Sequence, residues 1–141
     1  MRKQTAPEIS KPMRDRLVKA AREAAVKAYC PYSRYPVGAA LLLSDSRIVT
    51  GCNVENISYG LSNCAERTAL FKAVSEGNRA FAALAVAGGT ARPAAPCGAC
   101  RQVLAEFCTR GMPVFLARLR GGRVITTTAG DLLPRAFGSL G

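Results

Sequence analysis

The last part of the chain limits the possible folds most strongly, because two strand-like segments lie there with only a short turn between them. The segments read "PVFLARL", from Pro113, and "RVITTT", from Arg123, and Gly121-Gly122 with their neighbours separate them. Parallel strands need a crossover of about a dozen residues or more, whereas antiparallel strands can be joined by a tight turn. The last two strands are therefore predicted to be antiparallel neighbours.

Upstream of this pair, strand-like and helix-like segments alternate. Strands are predicted at "VGAALLL", "RIVTGC" and "FAALAVAG", and helices over 12–29, 64–76 and 100–110, with a short helix in "AGDLLPRAF". The first two strands flank a short turn and form a hairpin. The strand–helix–strand segments imply a right-handed crossover and parallel pairing in the middle of the sheet. We predict an α/β fold with three layers, in which helices cover both faces of a mixed five-stranded sheet.

The composition is that of one globular domain. The chain has 141 residues, of which 49% are hydrophobic and 21% charged, enough to bury a core. No apolar run approaches the roughly 18 to 20 residues that cross a bilayer, and the basic opening lacks the apolar core of a secretory signal. We expect a disordered tail over residues 1–12, a single domain over residues 13–141 and, by default, a cytoplasmic location.

The net charge of +11 suggests nucleic-acid binding as a first hypothesis. The basic residues are scattered, however, over the tail, the first helix (where Asp15 and Glu23 accompany them) and the turn before the last strand. No compact basic run carries interleaved aromatic residues. We interpret the charge as a solvated basic surface and predict neither a nucleic-acid partner nor a membrane partner.

The chain has six cysteines and no histidine, so a metal would be held by sulfur and oxygen. Cys97 and Cys100 in "PCGAC" are spaced to bind one metal ion, and Cys64 begins another predicted helix. Helix N-termini stabilise thiolates. Three sulfurs leave one zinc position open, as in a catalytic site, and Glu66 lies two residues beyond Cys64, within reach of that position.

Two other interpretations of the cysteines stay open at this point. "CGAC" is also typical of a thiol redox pair, although this role would leave Cys64 and Glu66 without a function. A structural zinc site could instead use Cys52 as a fourth thiolate. Taken singly, Cys30, Cys52 and Cys108 are expected to be small buried hydrophobic residues.

Several motifs occur in the order of a known family. They are "CPYSRYPVGAAL", "GCNVENISYG", "CAERTAL" and "PCGACRQVLAEF", and the zinc deaminase signature of H-x-E followed by P-C-x-x-C has its three-cysteine form here, C-A-E and P-C-G-A-C. From Leu17 to Phe137 the chain closely resembles the small homotetrameric cytidine deaminases. The resemblance implies a cytidine deaminase-like fold, a homotetramer, a zinc cofactor, and hydrolysis of cytidine and deoxycytidine to uridine, deoxyuridine and ammonia in pyrimidine salvage.

The resemblance also implies roles in the metal centre. Zinc would be bound by Cys64, Cys97 and Cys100, and would lower the pKa of water toward neutrality. Glu66 would be the proton shuttle to the pyrimidine N3 and the departing amine. Arg67 would hydrogen-bond to the sulfurs and withdraw charge from a centre that three thiolates make negative.

The remaining implied roles concern the nucleoside. Asn53 and Glu55 would hold the ribose hydroxyls. Tyr35 would line the pocket where the family usually has phenylalanine, and Ala65 would leave room for the pyrimidine. Phe137 would pack on the base from a neighbouring subunit.

Two features favour a free nucleoside as the substrate. The antiparallel final hairpin resembles the nucleoside branch of the superfamily, whereas polynucleotide deaminases place a helix between those strands. The segment "NVEN" resembles a nucleoside-binding loop, which argues against a blasticidin-type deaminase. A blasticidin-type or other nucleoside-analogue deaminase stays the alternative function, ahead of the thiol redox protein.

Overall fold

The computed structural model describes residues 8–138, so most of the predicted tail, residues 1–7, lies outside the described range. The described helices are α1 (Lys11–Ala25), α2 (Ala65–Ser75), α3 (Gly98–Phe107) and α4 (Ala129–Leu132). The strands are β1 (Val37–Leu43), β2 (Ile48–Cys52), β3 (Phe81–Gly88), β4 (Pro113–Ala117) and β5 (Ile125–Thr128).

The five strands form one mixed sheet in the order β2-β1-β3-β4-β5. Strand β1 pairs antiparallel with both β2 and β3, β3 pairs parallel with β4, and β4 pairs antiparallel with β5. The predicted mixed sheet, its parallel middle pair and its antiparallel final pair are confirmed. The crossover through α2 joins β2 to β3, which are not neighbours because β1 lies between them.

Each face of the sheet carries its own core, because successive side chains of a strand point to opposite faces. Ala39, Leu41 and Leu43 of β1 pack in the core that α2 and α3 cover. Ala40 and Leu42 pack in the second core, against α1. Helices therefore cover both faces, as the predicted three layers require.

Helix α1 begins close to the predicted residue but ends four residues earlier. Its first turn is capped by Ser10, whose hydroxyl accepts from the Met13 N–H at 3.2 Å. The predicted end at Tyr29 is wrong, because the Tyr29 N–H donates to the Asn53 carbonyl at 3.0 Å and its carbonyl accepts from the Glu55 N–H at 2.8 Å. Pairing with a distant loop takes the hydrogen bonds that a longer helix would have used.

The ends of the last two helices also differ from the prediction. Helix α3 ends at Phe107 instead of residue 110, where the Arg110 carbonyl accepts from the Gly130 N–H of α4 at 2.8 Å. Helix α4 spans only Ala129–Leu132, because Pro134 disfavours helical backbone at Leu133. Within residues 8–138, no helix has the length and apolar character needed to cross a membrane.

Helix α1 lies unusually close to β1 at Gly38. A Cβ atom at Gly38 would lie 1.9 Å from the Ala21 carbonyl oxygen and 2.4 Å from the Ala25 amide nitrogen. Both are backbone atoms, so the helix would have to move as a unit. The absence of a side chain at residue 38 thus sets the distance between α1 and the sheet.

We predict that Gly38→Ala destabilises the fold by about 3 kcal/mol, the upper part of the range for overpacked cores. The melting temperature, measured by circular dichroism, should fall by about 10 °C. Gly60→Ala is the matched control, because a Cβ there meets no atom within 4 Å. Equal melting temperatures of the two variants would show that α1 adjusts without cost.

Candidate metal centre and active site

Three cysteine thiols meet where two helices begin. Cys64 is the N-cap of α2, Cys97 is the N-cap of α3, and Cys100 lies in the first turn of α3. The Cys97 Sγ lies 3.7 Å from the Cys64 Sγ and 3.4 Å from the Cys100 Sγ. Among residues 8–138, these three cysteines are the one group of at least three potential metal ligands whose ligand atoms lie close together. The structure thus brings the three predicted ligands together.

The thiols are poised to bind a cation. The pKa of Cys64 is lowered to about 5 because the neighbouring Cys100 thiol and the Arg67 guanidinium stabilise its thiolate. The pKa of Cys100 is raised, because its thiol donates to Cys64 and is partly buried. Because the sulfurs lie close together, the ionisation of one thiol changes the pKa of the next. A bound divalent cation would stabilise all three as thiolates. The donor set therefore fits zinc, which sulfur binds in tetrahedral sites.

Arg67 contacts the cluster directly. Its Nη2 donates to the Cys64 Sγ at 3.2 Å, and this bond raises the pKa of the guanidinium above its ordinary value. The buried Arg67 Nε has no hydrogen-bond partner among the described residues. The predicted contact is present, and its effect on the charge of a metal centre stays a prediction.

Among residues 8–138, Glu66 is the one charged residue that is buried, with 5% of its surface exposed. Burial raises the pKa of its carboxyl group, and the adjacent Cys64 sulfur adds to the effect. Its position after the α2 N-cap places the carboxyl beside the sulfurs. Such a group exchanges protons more readily near neutral pH than an exposed carboxylate does.

The cluster opens on a cavity of about 380 Å³, within the range of small-molecule sites. Its lining includes Cys64, Ala65, Glu66 and Cys97. Of the residues predicted to contact the nucleoside, Tyr35, Asn53 and Glu55 also line the cavity.

Phe137 does not line this cavity. It lies in the C-terminal segment and is 68% exposed, which fits neither a capping core residue nor a contact with this chain's own cavity. Its predicted contact with a neighbouring subunit is not tested in a single chain and stays a prediction.

Asn53 holds one wall of the cavity in place. Its Oδ1 accepts from the Val37 N–H at 2.9 Å, and its Nδ2 donates to the Tyr35 carbonyl at 2.9 Å. The side chain thereby joins the end of β2 to the segment that enters β1. Its predicted role toward the ribose would use the remaining hydrogen-bonding capacity of the amide.

Glu55 is bound to the same segment. Its carboxylate accepts from the N–H groups of Tyr32 and Ser33 at 3.1 and 3.0 Å and from the Ser33 hydroxyl. These bonds, that of the Ser33 hydroxyl foremost, lower the pKa of Glu55. Ser33 also lines the cavity, and sequence reasoning missed it. The available signal was a serine in the turn-forming "PYSRYP", where hydroxyls bond to nearby backbone.

The other three cysteines do not join the cluster. Cys30, Cys52 and Cys108 are half-buried instead of fully buried, and burial raises the pKa of Cys108 to about 12. Cys52 ends β2 and is not among the three clustered thiols of the described chain. A four-thiolate structural site that includes Cys52 is therefore not formed.

Fold and site together define a class of protein: an α/β domain in which a cluster of three thiols, with a buried carboxyl beside it, opens on a cavity of ligand size. The chain matches the family described as "Cytidine and deoxycytidylate deaminase zinc-binding region" over residues 12–116. It belongs to this family.

Individual relatives are similar to this chain over most of its length. The cytidine deaminase of Sporosarcina psychrophila is 55% identical over 123 residues, which cover 87% of this chain and 90% of the relative. The crystal structure of cytidine deaminase from Burkholderia pseudomallei is similar with a TM-score of 0.85 and 53% identity, covering 92% of this chain and 100% of that one. Blasticidin-S deaminase of Bacillus cereus is only 25% identical over 113 residues, so the blasticidin-type alternative is not favoured.

The contacts of Ser33 predict a measurable effect on Glu55. In Ser33→Ala the pKa of the Glu55 carboxyl should rise toward its ordinary value, because the hydroxyl that most lowers it is lost. The measurement is a pH titration followed by NMR of carboxyl-labelled protein. Ser62→Ala is the control, since its hydroxyl accepts from the Asn56 N–H in the same loop without contacting Glu55. An unchanged Glu55 pKa in Ser33→Ala would contradict the assignment.

Proposed function

We propose that this protein is a cytidine deaminase, an enzyme that hydrolyses cytidine and deoxycytidine to uridine and deoxyuridine with release of ammonia. The observation that carries the proposal is the buried Glu66 carboxyl beside three clustered thiols, at the wall of a nucleoside-sized cavity. Relatives that are named cytidine deaminases at 55% identity support the same activity. A thiol redox protein is not favoured, because it would have no use for Cys64 or Glu66.

The metal in the proposal is zinc, held by Cys64, Cys97 and Cys100. When bound, it supplies Lewis acidity that lowers the pKa of water, so that a nucleophile is available near neutral pH. The family's description as a zinc-binding region supports this choice, as does a donor set of three thiols at two helix N-termini.

Glu66 moves the protons in the proposed reaction. Its carboxylate takes a proton from the attacking water and passes it to N3 of the pyrimidine, while the oxygen adds to C4. It then takes the proton of the new C4 hydroxyl and delivers it to the departing amine, so that C4 becomes a carbonyl, ammonia leaves and the uracil base remains. Burial in the cavity wall, which raises the pKa of Glu66, suits a group that must both accept and return a proton.

Two neighbours of Glu66 assist in the proposal. Arg67 draws electron density from the Cys64 sulfur through its hydrogen bond of 3.2 Å, and so moderates the negative charge of three thiolates. Ala65 is the first residue of α2, where the backbone N–H has no partner within the helix. Its small side chain leaves space for the base, and its N–H would face the pyrimidine.

The nucleoside sugar would lie against the lining residues that follow β2 and precede β1. Asn53 and Glu55 would bind the ribose hydroxyls, and Tyr35 would line the pocket beside them. Because both polar side chains are already held by the segment before β1, they would be oriented before the substrate arrives, which lowers the entropy cost of binding.

We also propose a homotetramer in which Phe137 of one subunit packs on the base bound by another. The 68% exposure of Phe137 in the single chain supports this role, because a large aromatic side chain is usually covered. A cytoplasmic location for this nucleoside-salvage enzyme completes the proposal.

The direct test is turnover by the purified protein. Cytidine should lose its 4-amino group, followed as a change in ultraviolet absorbance, and metal analysis should give about one zinc per chain. Removal of the metal with a chelator should abolish turnover, and zinc should restore it. Zinc-loaded protein without activity on cytidine or deoxycytidine would overturn the proposal.

Glu66→Gln separates proton transfer from metal binding. The amide keeps the size of the side chain but cannot carry the proton, so kcat should fall by about 10²- to 10⁴-fold while zinc content stays at the parent level. Glu76→Gln, at the exposed C-cap of the same helix, should leave both quantities unchanged. Loss of zinc from Glu66→Gln would instead assign Glu66 a structural role.

A further inference from the structure

Arg101, on the first half of α3, joins two backbone segments that are far apart in sequence. Its Nε donates to the Pro96 carbonyl at 2.7 Å, and its Nη1 donates to the Leu132 carbonyl at 2.9 Å. Pro96 directly precedes the Cys97 thiol, and Leu132 is the last residue of α4. A planar guanidinium donates in several fixed directions at once, so one side chain holds both carbonyls.

The Pro96 end of this bridge bears on the metal centre. Residues 89–96 form neither helix nor strand, and Cys97 itself is exposed, so no regular element holds the backbone that leads to this thiol. Pro96 is fully buried, and its carbonyl is oriented by Arg101. The peptide plane that leads into Cys97 is thereby fixed, and with it the direction of the thiol toward Cys64 and Cys100.

The Leu132 end supplies a rigid support. The start of α4 is held by hydrogen bonds from the Ala129 and Gly130 N–H groups to the carbonyls of Met112 and Arg110, at 3.0 and 2.8 Å. Arg101 therefore links the loop before Cys97 to helix α4, which is itself anchored to the residues between α3 and β4.

We propose that Arg101 is a positioning residue for the metal centre, which holds the Cys97 thiol in its metal-binding place by bridging Pro96 to the C-terminal segment. This role rests on the proposed zinc site and differs from that of Arg67, whose guanidinium bonds to a sulfur. Arg101 acts through backbone carbonyls alone.

The test measures zinc affinity by competition with a chromophoric chelator. Arg101→Ala should weaken zinc binding by about 10- to 100-fold, the usual effect of removing a group that orients a metal ligand. Arg101→Lys should lie between parent and alanine variant, because a single ammonium group cannot reproduce the two-directional bridge. Cytidine turnover by Arg101→Ala should recover as free zinc is raised.

Arg22→Ala is the matched control. Arg22 also bridges two carbonyls, those of Arg118 and Gly121, at 3.0 and 2.9 Å, but on the face of the sheet that α1 covers. Loss of the Arg22 side chain should lower the melting temperature of the protein without changing its zinc affinity. If Arg101→Ala binds zinc as tightly as the parent, the proposal is overturned.

The remaining outcomes are also decisive. If Arg101→Ala does not fold, the zinc affinity of Arg101→Lys decides, and parent-like affinity there overturns the proposal. Failure of the parent protein itself to bind zinc would overturn the zinc site and this role together. If the parent binds zinc and the Arg101 variants bind it equally tightly, the positioning role is rejected and the proposed function stays intact.

Discussion

The site depends on one topological constraint: two helices begin at the same edge of the sheet. Strands β2 and β3 run in the same direction, because each pairs antiparallel with β1. Helix α2 follows β2 and helix α3 follows β3, so both N-termini lie beyond the carboxyl ends of these strands. That edge is where open α/β sheets commonly bind ligands. The three thiols meet there because Cys64 and Cys97 are the N-caps of the two helices.

Close packing on β2 is what allows the first of these helices to reach the site. A Cβ at Gly51 would lie 2.5 Å from the Ala69 amide nitrogen and 2.8 Å from the Ala65 carbonyl oxygen. Glycine therefore lets α2 lie directly on the strand, with the Ala65-Glu66 turn beside the cavity. Glu66, in the first turn of this helix, is buried, and its burial raises the pKa of its carboxyl group.

Sequence reasoning succeeded where local chemistry decides the structure. The bounds of β1 and β3 were predicted residue for residue, because long apolar runs between turn residues leave little choice, and the family resemblance supplied the ligand set. Prediction from the sequence failed where a segment distant in the chain forms hydrogen bonds with backbone groups that a local element would have used. Helix α1 ends early because Tyr29 pairs with the loop after β2. Ser33 and Arg101 escaped notice because their partners, a carboxylate 22 residues away and a carbonyl 31 residues away, are brought near only by the folded sheet.

Long-range contacts give several of the positively charged side chains a structural role. The chain has 20 lysines and arginines but only 9 acidic residues, and within residues 8–138 the ion pairs involve only Asp15 and Asp45. Several guanidinium groups bond to backbone carbonyls instead. They belong to Arg22, Arg79, Arg101, Arg110 and Arg118. Arginine suits this role because it donates in several directions and stays charged at any physiological pH. An excess of arginine is thus partly a structural feature of a chain poor in acids.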